Sequence, residues 1–332
     1  MLVALETPPR AAELTDDDTI VAVARHHRLT PLLSAACGPH LPPKLGEIFR
    51  RDRLITAARN TLLCGVAEEV VQAFAAGGLR TIVLKGLAYE THLYRLAGAR
   101  PTSDIDLLVP GERRREAFGV LDRLGFEPRA AAPGFDEPNY HEVAWTRKGI
   151  EVDLHLALAP LARCRIDYAA VWREAEDFDL GPTKALDLGR RQGAVFHALH
   201  MAIDHFDVPA IYLVDLTKLL PTTDDLLAAR ETARRWRCER PLETATALTA
   251  EFLPGWAERM PPIAVTPVAR TVIAGYGTTT RLPRAAQLRR KLQHFDAWTD
   301  AVRYAAIQSR RVAKHWIERR VLRRTARQRL GL

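Results

Sequence analysis

An apolar run, a glycine turn, an amphipathic segment and a second apolar run follow one another early in the chain. Residues 81–84 combine β-branched and apolar side chains, which is typical of a buried strand. Lys85-Gly86 interrupts this run, and residues 87–96 then have the apolar spacing of a helix. A second predicted strand, residues 105–109, follows a short polar connection.

Helical periodicity dominates the remainder of the sequence. It predicts helices over 15–27, 29–36, 43–53, 54–76, 112–124, 192–205, 224–236 and 242–252, and one or two basic helices over 288–329. Two further strands, 140–145 and 149–156, are expected to pair through a turn at 147–149, and residues 130–139 are expected to form a loop. The predicted fold is α+β, with a small mixed β-sheet core at 79–180 between an N-terminal helical region at 1–78 and a C-terminal helical domain at 181–332.

Composition argues against a membrane-spanning or secreted protein, and the charge is unevenly distributed along the chain. The sequence has no apolar run long enough for a membrane-spanning helix and no secretory signal at its start. Its four cysteines are scattered without a CxxC pair, which favours reduced thiols and a cytoplasmic location. Residues 281–332 carry fifteen Lys and Arg against three Asp and Glu, while the residues before them carry a net charge of −4.

Two carboxylates bracket the first residue of the second strand. Asp104 and Asp106 point to the same face because strand side chains alternate. Such a pair repels unless a cation lies between the carboxylates, and magnesium binds carboxylate oxygens together with substrate phosphates. A helix that begins after Gly86 would offer free N–H groups to phosphate. The alternative is a solvated strand end, but the order of strand, turn, helix and acid pair favours a metal site.

These residues carry a family resemblance. Leu84-Lys85-Gly86, Tyr94, Arg100 and residues 104–109 resemble the polymerase-β-like nucleotidyltransferase superfamily, and in particular a poorly characterised bacterial branch with a leucine-lysine-glycine turn. Leu87 stands where the superfamily often has serine, and the gap between Gly86 and Asp104 is longer than usual. Members of this branch often lie beside genes for peptide natural products.

The strand predicted over 149–156 alternates strictly, so that Glu151, Asp153 and His155 share one face. A metal site or simple solvent exposure would explain this polar face. The family resemblance assigns the third carboxylate to Asp153, followed by Leu-His, with Glu151 as the second choice. His155 would orient a carboxylate or phosphate, or form a structural hydrogen bond.

The resemblance implies transfer of an NMP group from an NTP with Mg²⁺ or Mn²⁺. Asp104 and Asp106 would bind the ion that accompanies the triphosphate, and Asp153 would help to bind a second ion and to deprotonate the acceptor. Lys85 and the N–H groups after Gly86 would bind the phosphates. Arg100 would neutralise the leaving pyrophosphate or form a structural salt bridge.

Two features leave alternatives open. His197, His200 and Asp204 share a helix face, which suggests either a zinc or di-iron site or polar groups that pack, together with Asp215, against the site wall. The basic C-terminal region would bind RNA, an acidic peptide or anionic lipid, or would form a solvated helix face. The acceptor would be a peptide natural product, a small molecule or a partner protein. The alternative function is a catalytically inert peptide- or RNA-binding protein with the same fold.

Overall fold

One mixed seven-stranded sheet forms the centre of the molecule. The computed structural model describes residues 17–94, 96–129, 141–160, 162–277 and 292–307. Within these ranges the strands, in chain order, are β1 Ile82–Leu84, β2 Ile105–Leu108, β3 Glu127–Pro128, β4 Glu142–Arg147, β5 Ile150–His155, β6 Glu176–Leu180 and β7 Thr183–Asp187. Their order across the sheet is β3-β4-β5-β2-β1-β7-β6.

The two most apolar strands lie in the middle of this sheet. Every residue of β1 and β2 is buried, as expected for strands covered on both faces. They pair antiparallel with each other, while β2 pairs parallel with β5 and β1 pairs parallel with β7. The outer pairs β3-β4, β4-β5 and β6-β7 are antiparallel. This mixed pairing confirms the predicted α+β class.

Helices make up most of the described chain outside the sheet. In chain order they are α1 Asp17–His26, α2 Thr30–Cys37, α3 Pro43–Ala76, α4 Gly86–Ala88, α5 Arg114–Arg123, α6 Tyr168–Arg173, α7 Arg190–Ile203, α8 Ile211–Leu219, α9 Thr223–Trp236, α10 Glu239–Phe252, α11 Pro254–Ala257 and α12 Pro267–Gly275. A π-helical turn, Tyr89–Tyr94, continues α4 without a break. Among the residues described, no helix combines the length and apolar character needed to cross a membrane.

Helix α7 is the centre of the helical half. Ten of its fourteen residues are buried, because it packs against α8, α9 and α10. Helix α9 begins at a capped end, where the Thr222 hydroxyl accepts a hydrogen bond from the Asp225 N–H. Asp224 and Asp225 in its first turn also favour the positive end of the helix dipole. Sequence signals of this local kind explain why these helices lie close to their predicted positions.

Several elements differ from the sequence prediction. The segments expected at 43–53 and 54–76 form the single 34-residue helix α3. The hairpin of β6 and β7 was not predicted, and through it the sheet continues past residue 180. The loop expected at 130–139 lies outside the described residues, as does the predicted basic helix apart from 292–307, of which 298–307 are helical.

Candidate active site

Asp106 and Asp153 lie side by side on neighbouring strands. Strands β2 and β5 are parallel, and their register pairs Asp106 with Asp153. Directly opposed residues on paired strands point to the same face of the sheet. Asp104 precedes β2 by one residue and therefore lies at the end of the strand nearest the Lys85-Gly86 turn, since Leu84 pairs with Asp106.

Asp106 is the buried anchor of this acidic group. Its Oδ1 atom lies 3.0 Å from the Lys85 ammonium and 2.9 Å from His155 Nε2. Burial alone would raise the pKa of Asp106, but the charge of Lys85 and the contact with His155 outweigh it and hold the pKa well below its usual range. The charge of Asp106 in turn raises the pKa of Lys85 although burial opposes this. Asp106 is therefore a permanent carboxylate with a permanent ammonium beside it.

The pKa values of the other two carboxylates, Asp104 and Asp153, are raised. Burial, followed by repulsion from Asp106, raises the pKa of Asp104. The same two causes raise the pKa of Asp153 from 3.8 to about 7, with further repulsion from Asp104. Carboxylates that raise one another's pKa share a region of negative potential, and a cation placed there would be stabilised.

The donor set fits a magnesium ion that completes its coordination with substrate oxygens. Among the residues the structure describes, no three His, Cys, Asp or Glu side chains surround a point closely enough to hold a metal on their own. Magnesium usually binds one or two carboxylates together with water and phosphate oxygens, and does not need a complete protein cage. Asp104 and Asp153, which lack the ammonium contact of Asp106, are the carboxylates best suited to attract such an ion.

The turn opposite the carboxylates is tightly built. Lys85 has φ +45° and ψ −126°, a backbone conformation that residues other than glycine rarely adopt and that costs energy. A Cβ atom on Gly86 would lie 2.7 Å from Thr102 Cγ2, so only glycine allows this approach. The Thr102 hydroxyl is buried without a hydrogen-bond partner in the structure. Strain and an unpaired hydroxyl beside the helix start are consistent with a turn shaped for a ligand.

We expect Gly86→Ala to lower nucleotide affinity about tenfold or more, because the added methyl group displaces the turn from Thr102. Calorimetric titration with ATP and Mg²⁺ measures the effect. Gly65→Ala is the matched control, since its Cβ would meet nothing within 4 Å. The double variant Gly86→Ala/Thr102→Ser removes the clashing Cγ2 and should recover part of the affinity. Equal affinity of Gly86→Ala and wild type would show that the close approach is unimportant.

Arg100 forms a structural ion pair. Its guanidinium donates two hydrogen bonds to Asp215, from Nη2 at 2.8 Å and from Nε at 3.3 Å. The Tyr94 hydroxyl donates a third hydrogen bond to Asp215 at 2.6 Å. Both charged side chains are buried, and the charge of Asp215 raises the pKa of Arg100 against the effect of burial. Of the two roles predicted for Arg100, the structure shows the salt bridge, and contact with pyrophosphate stays a prediction.

The histidines of α7 pack against aromatic rings. His197 Nε2 lies 2.9 Å from the carbonyl oxygen of Tyr212, and both His197 and His200 stack on the Tyr212 ring. Burial lowers the pKa of His197 to about 4, which keeps its ring neutral near pH 7. These contacts support the interpretation that His197 and His200 are polar residues that pack α7 against its neighbours. Asp215 does not contact these histidines through an ion pair but pairs with Arg100.

Two polar residues near this site were not predicted from the sequence. Asp187, at the end of β7, accepts a 2.7 Å contact from His92 of the π-helical turn. The Tyr89 hydroxyl is buried without a hydrogen-bond partner. Asp187 lies in a hairpin that the sequence pattern did not predict, so its position beside the turn could not be inferred.

The stability of the folded protein should depend on pH through the ionisation of Asp153. Because its folded pKa is about 7 and its ordinary value is 3.8, the folded protein binds the extra proton between these values and loses stability as pH rises through them. Below the lower value both states are protonated and the cost vanishes. Asp153→Asn, melted in EDTA, should therefore exceed the wild-type melting temperature at pH 8 and approach it at pH 4. A variant less stable than wild type at pH 8 would contradict the clustering of the carboxylates.

Sequence comparison places this site in a known family. Residues 13–254 match the family described as "Uncharacterised nucleotidyltransferase". The match spans most of the chain, so the chain belongs to this family of nucleotidyltransferases, and the resemblance drawn from its motifs is confirmed. No curated protein is detectably similar in sequence.

Three solved structures resemble parts of the chain. The solution structure of the antibiotic-resistance factor ANT(2″)-Ia has a TM-score of 0.40 and 15% identity, over 53% of this chain and 92% of that one. A crystal structure of ANT(2″)-Ia in complex with adenylyl-2″-tobramycin has a TM-score of 0.39 and 15% identity, over 52% and 97%. An antigenic nucleotidyltransferase-like protein from Paracoccidioides brasiliensis has a TM-score of 0.38 and 14% identity, over 60% and 90%. Likeness at this level carries no conclusion about the chemistry of this chain.

Proposed function

We propose that this protein is a magnesium-dependent nucleotidyltransferase that moves an NMP group from an NTP to an acceptor hydroxyl or phosphate. The observation that carries the proposal is the pairing of Asp106 with Asp153 across two parallel strands, beside Asp104 and the Lys85-Gly86 turn. Membership of a nucleotidyltransferase family supports the same reaction class.

The proposed reaction is an in-line displacement at the α-phosphorus of the NTP. The acceptor oxygen attacks the α-phosphorus, the bond from that phosphorus to its bridging oxygen breaks, and pyrophosphate leaves. The acceptor proton passes to Asp153, whose carboxylate lies beside Asp106 on the paired strand. The Lys85 ammonium, which lies beside Asp106, and the N–H groups at the start of α4 would bind phosphate oxygens.

Asp104, Asp106 and Asp153 are the proposed ligands for Mg²⁺ or Mn²⁺. When bound, such ions neutralise the negative charge that builds on the entering and leaving oxygens. Asp106 keeps its charge at all physiological pH values because Lys85 and His155 hold its pKa low. The carboxylates therefore supply a fixed negative site even before Asp153 ionises.

The acceptor belongs to one of three proposed classes: a peptide natural product, another small molecule or a partner protein. Incubating the protein with labelled NTPs, Mg²⁺ and candidates of each class, followed by intact-mass analysis, tests the proposal. The expected result is an acceptor heavier by one NMP, with pyrophosphate released in equal amount. EDTA should abolish the reaction, and Mn²⁺ should restore it.

The same experiment separates an enzyme from an inert binding protein. A protein that binds a peptide or RNA through this fold would show no pyrophosphate release with any NTP, with or without Mg²⁺. That result across all acceptor classes, together with no metal-dependent nucleotide binding, would overturn the proposed activity. The basic residues beyond 307, a proposed nucleic-acid contact, lie outside the described residues.

A further inference from the structure

A cavity lies beside the π-helical turn. It has a volume of about 640 Å³ and is bounded by α2, the π-helical turn, α8 and α11, with the first residue of α7 at its edge. None of the three proposed catalytic carboxylates lines it. Its size falls within the range of about 300–1,000 Å³ that is typical of small-molecule pockets.

The lining of this cavity is positively charged. Arg190, Lys218 and Arg259 contribute to it, and no Asp or Glu does so among the described residues. The rest of the lining is largely apolar and includes Leu93, Val214 and Trp256. The Trp256 indole is held in place by a 2.8 Å hydrogen bond from Nε1 to the Leu220 carbonyl oxygen.

Two of the three cations form no ion pair with any residue in the described part of the chain. The Arg190 guanidinium makes no hydrogen bond or ion pair with any described residue, whereas the guanidinium of its neighbour Arg191 pairs with Glu174 at 2.6 Å. The Lys218 ammonium lies 4.8 Å above the centre of the Tyr94 ring and forms no salt bridge within the described structure. Burial lowers the pKa of Lys218 although the negative charge of Asp215 opposes this effect, so the ammonium is partly desolvated. Two partly enclosed cations without an ion pair among the described residues favour an anionic ligand.

We propose that this cavity binds a small organic anion whose carboxylate or phosphate group contacts Arg190 and Lys218 and whose apolar part packs against Leu93, Val214 and Trp256. An inorganic anion would leave the apolar lining residues in contact with water, and a neutral apolar molecule would leave the cations unpaired. A molecule with both parts contacts both kinds of lining residue favourably. The proposal concerns a site apart from the carboxylates and does not depend on the proposed transfer activity.

Calorimetric titration with four probes tests this proposal. Octanoate and octyl phosphate carry both features, 1-octanol lacks the charge, and inorganic phosphate lacks the apolar part. We expect at least one octyl anion to bind with one-to-one stoichiometry and about tenfold or more tighter than the alcohol and inorganic phosphate, since a charged contact contributes about one order of magnitude in affinity. Comparison of the two anions identifies the acidic group. No saturable binding of either anion at millimolar concentration would overturn the proposal.

Three variants locate the bound anion. Arg190→Gln and Lys218→Met should each weaken its binding about tenfold. Ala36→Trp, an exposed position at the rim on α2, should block the cavity without disturbing the core. Arg191→Gln is the matched control on the same turn of α7, and it should bind as wild type does. Anion binding that is unchanged in Arg190→Gln, Lys218→Met and Ala36→Trp would place the ligand elsewhere and refute the assignment.

Discussion

Asp106→Asn is expected to reduce nucleotidyl transfer about a thousandfold, since a metal-bound carboxylate at a phosphoryl-transfer site stabilises the transition state by about 4 kcal/mol. Asparagine keeps the shape of the side chain and can still accept hydrogen bonds from Lys85 and His155, so the change removes mainly the charge. Pyrophosphate release from labelled ATP measures the loss.

Glu151→Gln is the control for this variant. Glu151 lies two residues before Asp153 on β5, but its carboxylate pairs with Arg129 at 2.6 Å and is not held by Lys85. It should retain wild-type transfer, which would also decide between the two candidates for the third carboxylate. An Asp106→Asn protein that is folded by circular dichroism and transfers as fast as wild type would refute the catalytic assignment.

Asp215→Asn is expected to lower the free energy of unfolding by about 3–5 kcal/mol, because it leaves the Arg100 guanidinium buried without its counter-charge. The Tyr94 hydroxyl loses its charged acceptor in the same change. Urea unfolding followed by circular dichroism measures the difference.

Asp179→Asn serves as the comparison for this stability measurement. Asp179 also pairs with a cation, Lys184, but both side chains are exposed on the β6-β7 hairpin, and such pairs contribute little to stability. Its unfolding midpoint should match that of wild type. If Asp215→Asn unfolds at the same urea concentration as Asp179→Asn, the Arg100 pair does not stabilise the fold as described.

The parts of the site that could be predicted from sequence depend on short-range patterns. Alternation along residues 150–155 predicted the face shared by Asp153 and His155, and the apolar character of residues 105–109 predicted the strand that carries Asp106. These patterns need no knowledge of distant residues. The Gly86 turn was likewise visible as a break between a strand and a helical segment, and the structure adds its reason, the approach to Thr102.

The parts that could not be predicted depend on contacts between distant residues. Arg100 and Asp215 are separated by 115 positions, so each was recognised as a polar residue of interest but not as a partner of the other. Strand β6 has the sequence EDFDL, in which apolar and polar residues alternate only weakly and three acidic residues are exposed. For this reason the sequence did not predict the strand or its pairing with β7. The π-helical turn at Tyr89–Tyr94 has the composition of an ordinary helix, so the apolar spacing did not distinguish it from an α-helix.

Calorimetric titration of the wild-type protein with ATP, once in Mg²⁺ and once in EDTA, tests whether the three carboxylates form a nucleotide–metal site. We expect saturable binding with one-to-one stoichiometry in Mg²⁺ and a loss of that binding in EDTA, because the carboxylates repel a triphosphate that arrives without a cation. Binding of equal affinity in both buffers, or no binding in either, would contradict the assignment of Asp104, Asp106 and Asp153 as the nucleotide–metal site.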